Sequence, residues 1–212
     1  MSKGDHYSPE TENRRKYTQD FDQFYTRFAG AYDWLVKTFP VWRNWIKSAL
    51  PWIEGPNVLE VSFGTGYLLS QYADQFNTFG IDYNQRLAKV AQENLRKSDQ
   101  KALLQIANVE SLPYKTGSFD TLVNTMAFTG YPRAKSALSE MVRVLKPGGR
   151  IVMVDINYPS DGNILGTMLT NVWQAAGDII RDMPALFAEY GLNCREEEVG
   201  GFGSVHLYVV NH

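Results

Sequence analysis

The sequence predicts an α/β domain of the doubly wound, Rossmann-like kind, a mostly parallel sheet with helices on both faces. Three observations carry this. Short apolar runs without polar alternation recur along the chain, the pattern of strands buried on both faces. Stretches with helical periodicity separate them, and parallel neighbours need a crossover helix. The first of these runs, Val58-Leu59-Glu60-Val61, ends in the turn Ser62-Phe63-Gly64-Thr65-Gly66 and reopens as a helix. Two glycines one residue apart let the backbone approach a ligand without a Cβ in the way.

Taken in order, residues 1–17 are polar, include the basic cluster Arg14-Arg15-Lys16, and read as a flexible tail. Residues 18–53 read as an N-terminal helical cover. Phe21, Phe24, Tyr25, Phe28, Tyr32 and Leu35 recur at three- and four-residue steps along one helical face. Pro40 stops that helix, and residues 41–50 form a second one before Pro51. Residues 54–212 read as the ligand-binding domain. Its first strand is expected over 57–61, a short helix over 67–75, the second strand over 78–82, and a helix over 85–97 capped by Asn84. The third strand is expected over 103–107, a loop over 108–114, the fourth strand over 119–125, and a helix from about 132 to 145. Lys146-Pro147-Gly148-Gly149 ends that helix and leads into a fifth strand over 150–156. An inserted helical stretch over 164–177 follows, then a helix over 179–190 stopped by Gly191. Two last strands, 193–199 and 204–210, are joined by a turn at Gly200-Gly201-Phe202-Gly203, a connection so short that they are antiparallel.

Composition bounds the function. At 212 residues the chain is the size of one such domain, large enough to bury a core without disulfide or metal, and no metal is expected. The single Cys194 and the absence of a signal-like N-terminus point to a reducing, cytoplasmic setting. No run approaches the roughly eighteen apolar residues of a membrane span. With 21 basic against 23 acidic residues there is no positive field of the kind nucleic-acid binders use, so a nucleic-acid partner is disfavoured. Aromatic content, at 13%, is concentrated in one place: Trp34, Trp42, Trp45 and Trp52 all fall within the cover.

The spacing Glu60-x-Ser62-x-Gly64-x-Gly66 separates two ligand classes. A dinucleotide fingerprint needs a third glycine where this chain has Leu69. An acid followed by the glycine pair resembles instead the first motif of the class I S-adenosylmethionine-dependent methyltransferases, E/D-x-G-x-G-x-G, with Ser62 in place of the first glycine. Asn108-Val109-Glu110-Ser111-Leu112-Pro113-Tyr114 resembles that family's D-A-E-x-L-P-F loop, with Asn108 for the acid. Leu145-Lys146-Pro147-Gly148-Gly149-Arg150 matches its turn before strand five. The likeness spans roughly residues 57–156. It points to the branch typified by ubiquinone and menaquinone C-methyltransferases and by small-molecule or phospholipid N-methyltransferases, without choosing among them.

The resemblance implies a seven-stranded sheet in the order 3-2-1-4-5-7-6 with the last strand antiparallel, and S-adenosyl-L-methionine as cofactor. It implies cofactor contacts at Glu60, Ser62, Gly64 and Gly66, at Asp82 and Tyr83 beside the ribose, at Asn108 and Val109 beside the adenine, and at Thr125 and Tyr25. Asp82 can accept charge-assisted bonds from ribose hydroxyls; Asn108 keeps an acceptor without the charge. Methyl transfer itself asks little of side chains, since alignment of an activated methyl supplies much of the gain. A base is needed only where the acceptor must lose a proton. None of His6, His206 and His212 is well placed, which leaves Asp155 and Tyr32 as candidates and no assigned catalytic residue. The expected acceptor is a small or lipid-like molecule. The cover residues 21–53 would set selectivity over the pocket, with a membrane-interface patch beside Arg43 and Lys47 as the rival reading. A nicotinamide-dependent oxidoreductase and a non-catalytic cofactor-binding protein are the alternatives on the same fold. The sequence says nothing of oligomeric state.

Overall fold

A computed structural model describes residues 40–212. Its strands are β1 (Asn57–Val61), β2 (Asn77–Asp82), β3 (Leu103–Ile106), β4 (Phe119–Thr125), β5 (Leu145–Ile156), β6 (Asn193–Gly200) and β7 (Val205–Asn211). They form one seven-stranded sheet in the order β3-β2-β1-β4-β5-β7-β6. Neighbours from β3 across to β5 are parallel; β7 runs antiparallel to both β5 and β6. The chain winds outward from β1 in one direction and from β4 in the other, which opens a crevice at the carboxyl ends of these two strands.

The helices are α1 (Pro40–Lys47), α2 (Leu69–Tyr72), α3 (Gln85–Lys97), α4 (Ala134–Val144), α5 (Ile164–Ala176) and α6 (Met183–Ala188). Strand alternation sorts the core into two layers. Val58, Val123, Val152 and Val154 pack with α1, α2 and α3, whereas Leu59, Val61, Leu122, Ile151 and Met153 pack with α4 and α6. The Asn84 side chain caps α3 by accepting from Arg86 and Leu87 N–H groups, as its position predicts.

Tertiary contacts redraw several expected boundaries. The helix expected over 67–75 is α2 followed by a 3-10 turn, Ala73–Gln75; the backbone breaks at Tyr72, whose phenol turns inward. The helix expected over 179–190 shrinks to α6, because Asp182 caps it late and Ile179 and Arg181 are tied to the turn Phe128–Gly130. β5 begins at Leu145 and takes in the glycine turn expected to precede it.

The described part of the expected cover, residues 40–53, belongs to the domain's own core. Trp42, Ile46, Ala49 and Ile53 are buried, and the Trp42 ring lies 5.8 Å from Trp45 and 5.6 Å from Trp173. The Arg195 guanidinium stands 4.8 Å over the Trp52 ring, a cation–π contact. The aromatic face from Phe21 to Tyr32, including the expected contacts Tyr25 and Tyr32, lies outside the described residues.

Candidate functional site

The glycine turn forms where β1 runs out at the crevice. Ser62 N–H donates to Ile81 O at 2.8 Å and Gly66 N–H to Phe63 O at 2.9 Å, which fixes both ends of the turn. Gly64 and Gly66 have φ of +57° and +70°, where an L side chain costs about 1 to 2 kcal/mol. The two glycines serve different ends. A Cβ on Gly66 would sit 2.9 Å from Ala91 Cβ, so this residue lets α3 pack close; a Cβ on Gly64 would meet nothing within 4 Å among the described residues. The space above Gly64 is therefore open to a ligand. Ser62 holds φ of +56° without being glycine, and its Oγ is 2.6 Å from Tyr131 Oη, which anchors the strained residue.

Asp82, at the carboxyl end of β2, is buried and clamps this turn. One carboxylate oxygen accepts from Gly64 N–H at 2.8 Å and the other from Asn84 N–H at 2.8 Å. Its carboxylate thus joins the glycine turn to the start of α3. Tyr83 beside it is 59% exposed. After β3, Asn108 Oδ1 accepts from the Glu110 N–H at 2.9 Å in a local turn, Val109 is buried in the core, and Glu110 pairs with Arg133. Thr125 ends β4 half-buried on the same side of the sheet.

Glu60 faces the opposite layer from Val61 and is buried against Tyr72, whose hydroxyl donates to its Oε2 at 2.8 Å. Burial pushes the Glu60 carboxyl up to about 8, the Tyr72 bond opposes this, and the Asp82 charge adds to it. The acid of the first motif is accordingly neutral at pH 7.

A match to the family model for a methyltransferase domain covers residues 59–153, from β1 to β5. Over this stretch the chain is similar to the S-adenosylmethionine-dependent methyltransferases. A ubiquinone/menaquinone biosynthesis C-methyltransferase of Geobacter sulfurreducens is 30% identical over 146 residues, 64% of this chain and 57% of that protein. A demethylmenaquinone methyltransferase of Desulfitobacterium hafniense is 27% identical over 160 residues, 70% of this chain and 62% of that protein. The chain thus spans less than two thirds of the length of these curated relatives. A solved S-adenosylmethionine-dependent methyltransferase of Thermotoga maritima shares the fold with a TM-score of 0.72 at 15% identity, over 89% of this chain and 98% of that one.

The cofactor implied by this methyltransferase family is S-adenosyl-L-methionine, and the open space above Gly64 fits a group that lies against backbone. Of the residues expected to meet it, the fold brings Ser62, Gly64, Gly66 and Asp82 together at one crevice; Tyr83, Asn108, Val109 and Thr125 rim the strand ends on which it opens. Glu60 is directed instead into the layer beneath. Asp155, the expected acid or base, is fully taken up: Oδ2 accepts from Thr129 N–H at 3.0 Å and Oδ1 from the Thr129 hydroxyl at 2.9 Å and Ile156 N–H at 2.8 Å.

Three groups escaped sequence reasoning. The Thr129 hydroxyl also lies 2.7 Å from Asp178 Oδ1, and a hydroxyl has one proton, so both contacts are hydrogen bonds only when one carboxyl is protonated. Burial pushes Asp178 up to about 6, with the Thr129 bond opposing and the Asp155 charge reinforcing the change. Tyr131 reaches the glycine turn from 69 residues away. The only sequence signal for it is its place shortly after β4, on the strand-end side where ligands bind.

Proposed function

We propose that this chain transfers a methyl group from S-adenosyl-L-methionine to a small, largely apolar acceptor of the hydroquinone or phenol type. The observation that carries the reading is the turn Ser62–Gly66, open above Gly64 and clamped by Asp82 at the crevice between β1 and β4. The acceptor class rests on the quinone names of the relatives and on α5, an uncharged helix following β5 that leaves Ile164, Leu165, Met168 and Val172 exposed. Leu69 in place of a third glycine speaks against the nicotinamide reading.

When bound, the cofactor supplies a methyl already activated on a sulfonium. The protein's share is alignment, worth much of the barrier when reacting atoms are held in line. Gly64 admits close approach, Asp82 keeps the turn in register with α3, and Val109 supplies apolar packing beside the expected adenine site. An acceptor that must lose a proton needs a group to take it. Asp178, half-buried with its pKa raised to about 6 and backed by Thr129 and Asp155, is the best-supported group for that task.

Calorimetry with S-adenosylmethionine, S-adenosylhomocysteine and NADH, followed by incubation of labelled donor with hydroquinone, catechol, amine and phospholipid acceptors, tests this. Binding of both adenosyl compounds and label on a hydroquinone or catechol are expected. Binding without transfer to any acceptor would favour a non-catalytic role, and binding of NADH alone would overturn the reading.

A further inference from the structure

The sheet has two edges, and the chain treats them differently. An edge strand offers a row of unpaired N–H and C=O groups, which proteins guard with charge, proline or a bulge. β6 is guarded: Arg195, Glu196, Glu197 and Glu198 stand within it, and its register with β7 slips between Glu198 and Gly200. β3, Leu103-Leu104-Gln105-Ile106, holds no charge and no proline and pairs with β2 in unbroken register. Leu103 and Ile106 are nonetheless 66% and 49% exposed. Ala107 N–H donates to Asp82 O at 3.0 Å, so Leu103, Gln105 and Ala107 turn their backbone groups toward β2. Those of Leu104 and Ile106 point away from the sheet, where no described strand meets them.

A hollow of about 360 Å³ lies beside this edge, between β3 and the last turns of α3. Leu95, Ala102 and Leu104 give it an apolar floor, and its exposed rim carries the cations Arg96 and Lys101 against one carboxylate, Asp99. Among the described residues neither cation has an ion-pair partner. Three features therefore meet at one place: a row of free backbone donors and acceptors, an apolar recess beside it, and surplus positive charge where β3 begins. Together they suit an extended segment that joins the sheet by its main chain, with the recess and the charge selecting its side chains.

We propose that the β3 edge binds an extended segment of a partner protein, added antiparallel to β3, with an apolar side chain in the hollow and an acidic residue at its carboxyl end beside Arg96 and Lys101. Antiparallel pairing is the firmer kind, and it brings that end to where β3 begins. The inference does not rest on the S-adenosylmethionine reading. Amide hydrogen exchange, followed residue by residue by NMR on the full chain, tests it with two blocked peptides of about six residues of alternating valine and threonine, one ending in glutamate and one in lysine. The glutamate peptide is expected to slow exchange at Leu104 and Ile106 and to bind at least about tenfold more tightly than the lysine peptide, a margin that shrinks at high salt. Arg96→Glu combined with Lys101→Glu is expected to reverse the preference, and both side chains are exposed, so the fold does not depend on them. Ile106→Pro removes one outward N–H and spares the ladder to β2; it is expected to abolish the slowing in a protein that still folds. Equal affinity for the two peptides, or exchange at Leu104 and Ile106 that neither peptide changes, would overturn the inference. So would a wild type that sediments as a dimer beside a monomeric Ile106→Pro variant, a result that assigns the edge to a second copy of this chain.

Discussion

Glu60 shows how a motif residue can act through the fold and not through contact. Its carboxyl is buried against Tyr72, and its pKa of about 8 in the folded chain stands above the ordinary value of 4.5. A carboxyl raised in this way contributes stability that is fully present below about pH 4.5 and is lost as pH rises through about 8. Every tenfold change in a protonation equilibrium is worth about 1.4 kcal/mol, so the loss is of the order of a few kcal/mol. Glu60→Gln keeps an acceptor for the Tyr72 hydroxyl and removes the charge. Urea unfolding at pH 5, 7 and 9 is expected to show the wild type weakening across the series while the Gln variant stays level and becomes the more stable protein at pH 9. Parallel curves for the two proteins would show that Glu60 does not titrate in this window.

At the scale of the element, the glycine turn separates ligand space from packing space. Gly64 and Gly66 share a left-handed backbone, yet among the described residues only Gly66 has a neighbour, Ala91, in the way of a side chain. Gly64→Ala is expected to lose about 1 to 2 kcal/mol of stability from backbone strain alone and at least tenfold in affinity for S-adenosylhomocysteine. Gly66→Ala adds the contact with α3 and is expected to lose about 2 to 4 kcal/mol. Denaturant midpoints read with calorimetry distinguish the two, and a Gly64→Ala protein that binds like wild type would assign the open space to solvent. The turn Phe128–Gly130 is the second element that matters. It carries Thr129 to the two carboxyls on one side and leads to Tyr131 at the glycine turn on the other, so the ends of β4 and β5 are linked through a single short piece of chain.

At the scale of the whole molecule, residues 40–53 join the core of the domain that composition alone would begin at residue 54. Removing residues 1–39 takes away none of the described core side chains. Removing residues 1–53 strips Trp42, Ile46, Ala49 and Ile53 from the core. At roughly 1.5 to 3 kcal/mol for each large buried side chain, that loss rivals the net stability of a typical domain, and no folded protein is expected. Circular dichroism melts of both truncations check this. The shorter truncation also tests the cover: unchanged turnover without residues 1–39 would remove Tyr25 and Tyr32 from the site.

The sequence by itself determined the sheet, its winding and the position of the crevice. Strand period, helix caps and the glycine pair are local properties, each written within a few residues, and they carry through to the folded chain. Asn84 caps α3 where its side chain and position require, and the turn after Val61 is left-handed where glycine demands it. Only the tertiary structure decided which polar groups meet there. Ser62, Asn124 and Tyr131 lie on three separate segments, and nothing in their spacing announces a shared network. Thr129 gains its two carboxyls because the segment after α5 folds back onto the turn after β4, which also unwinds the start of the helix expected from residue 179. The tryptophans of 40–53 repeat at a helical spacing that fits a lid as well as a core. Their burial was decided by a partner surface supplied by Trp173, Gly200 and Arg195, far along the chain, because periodicity gives a face and only packing says what covers it.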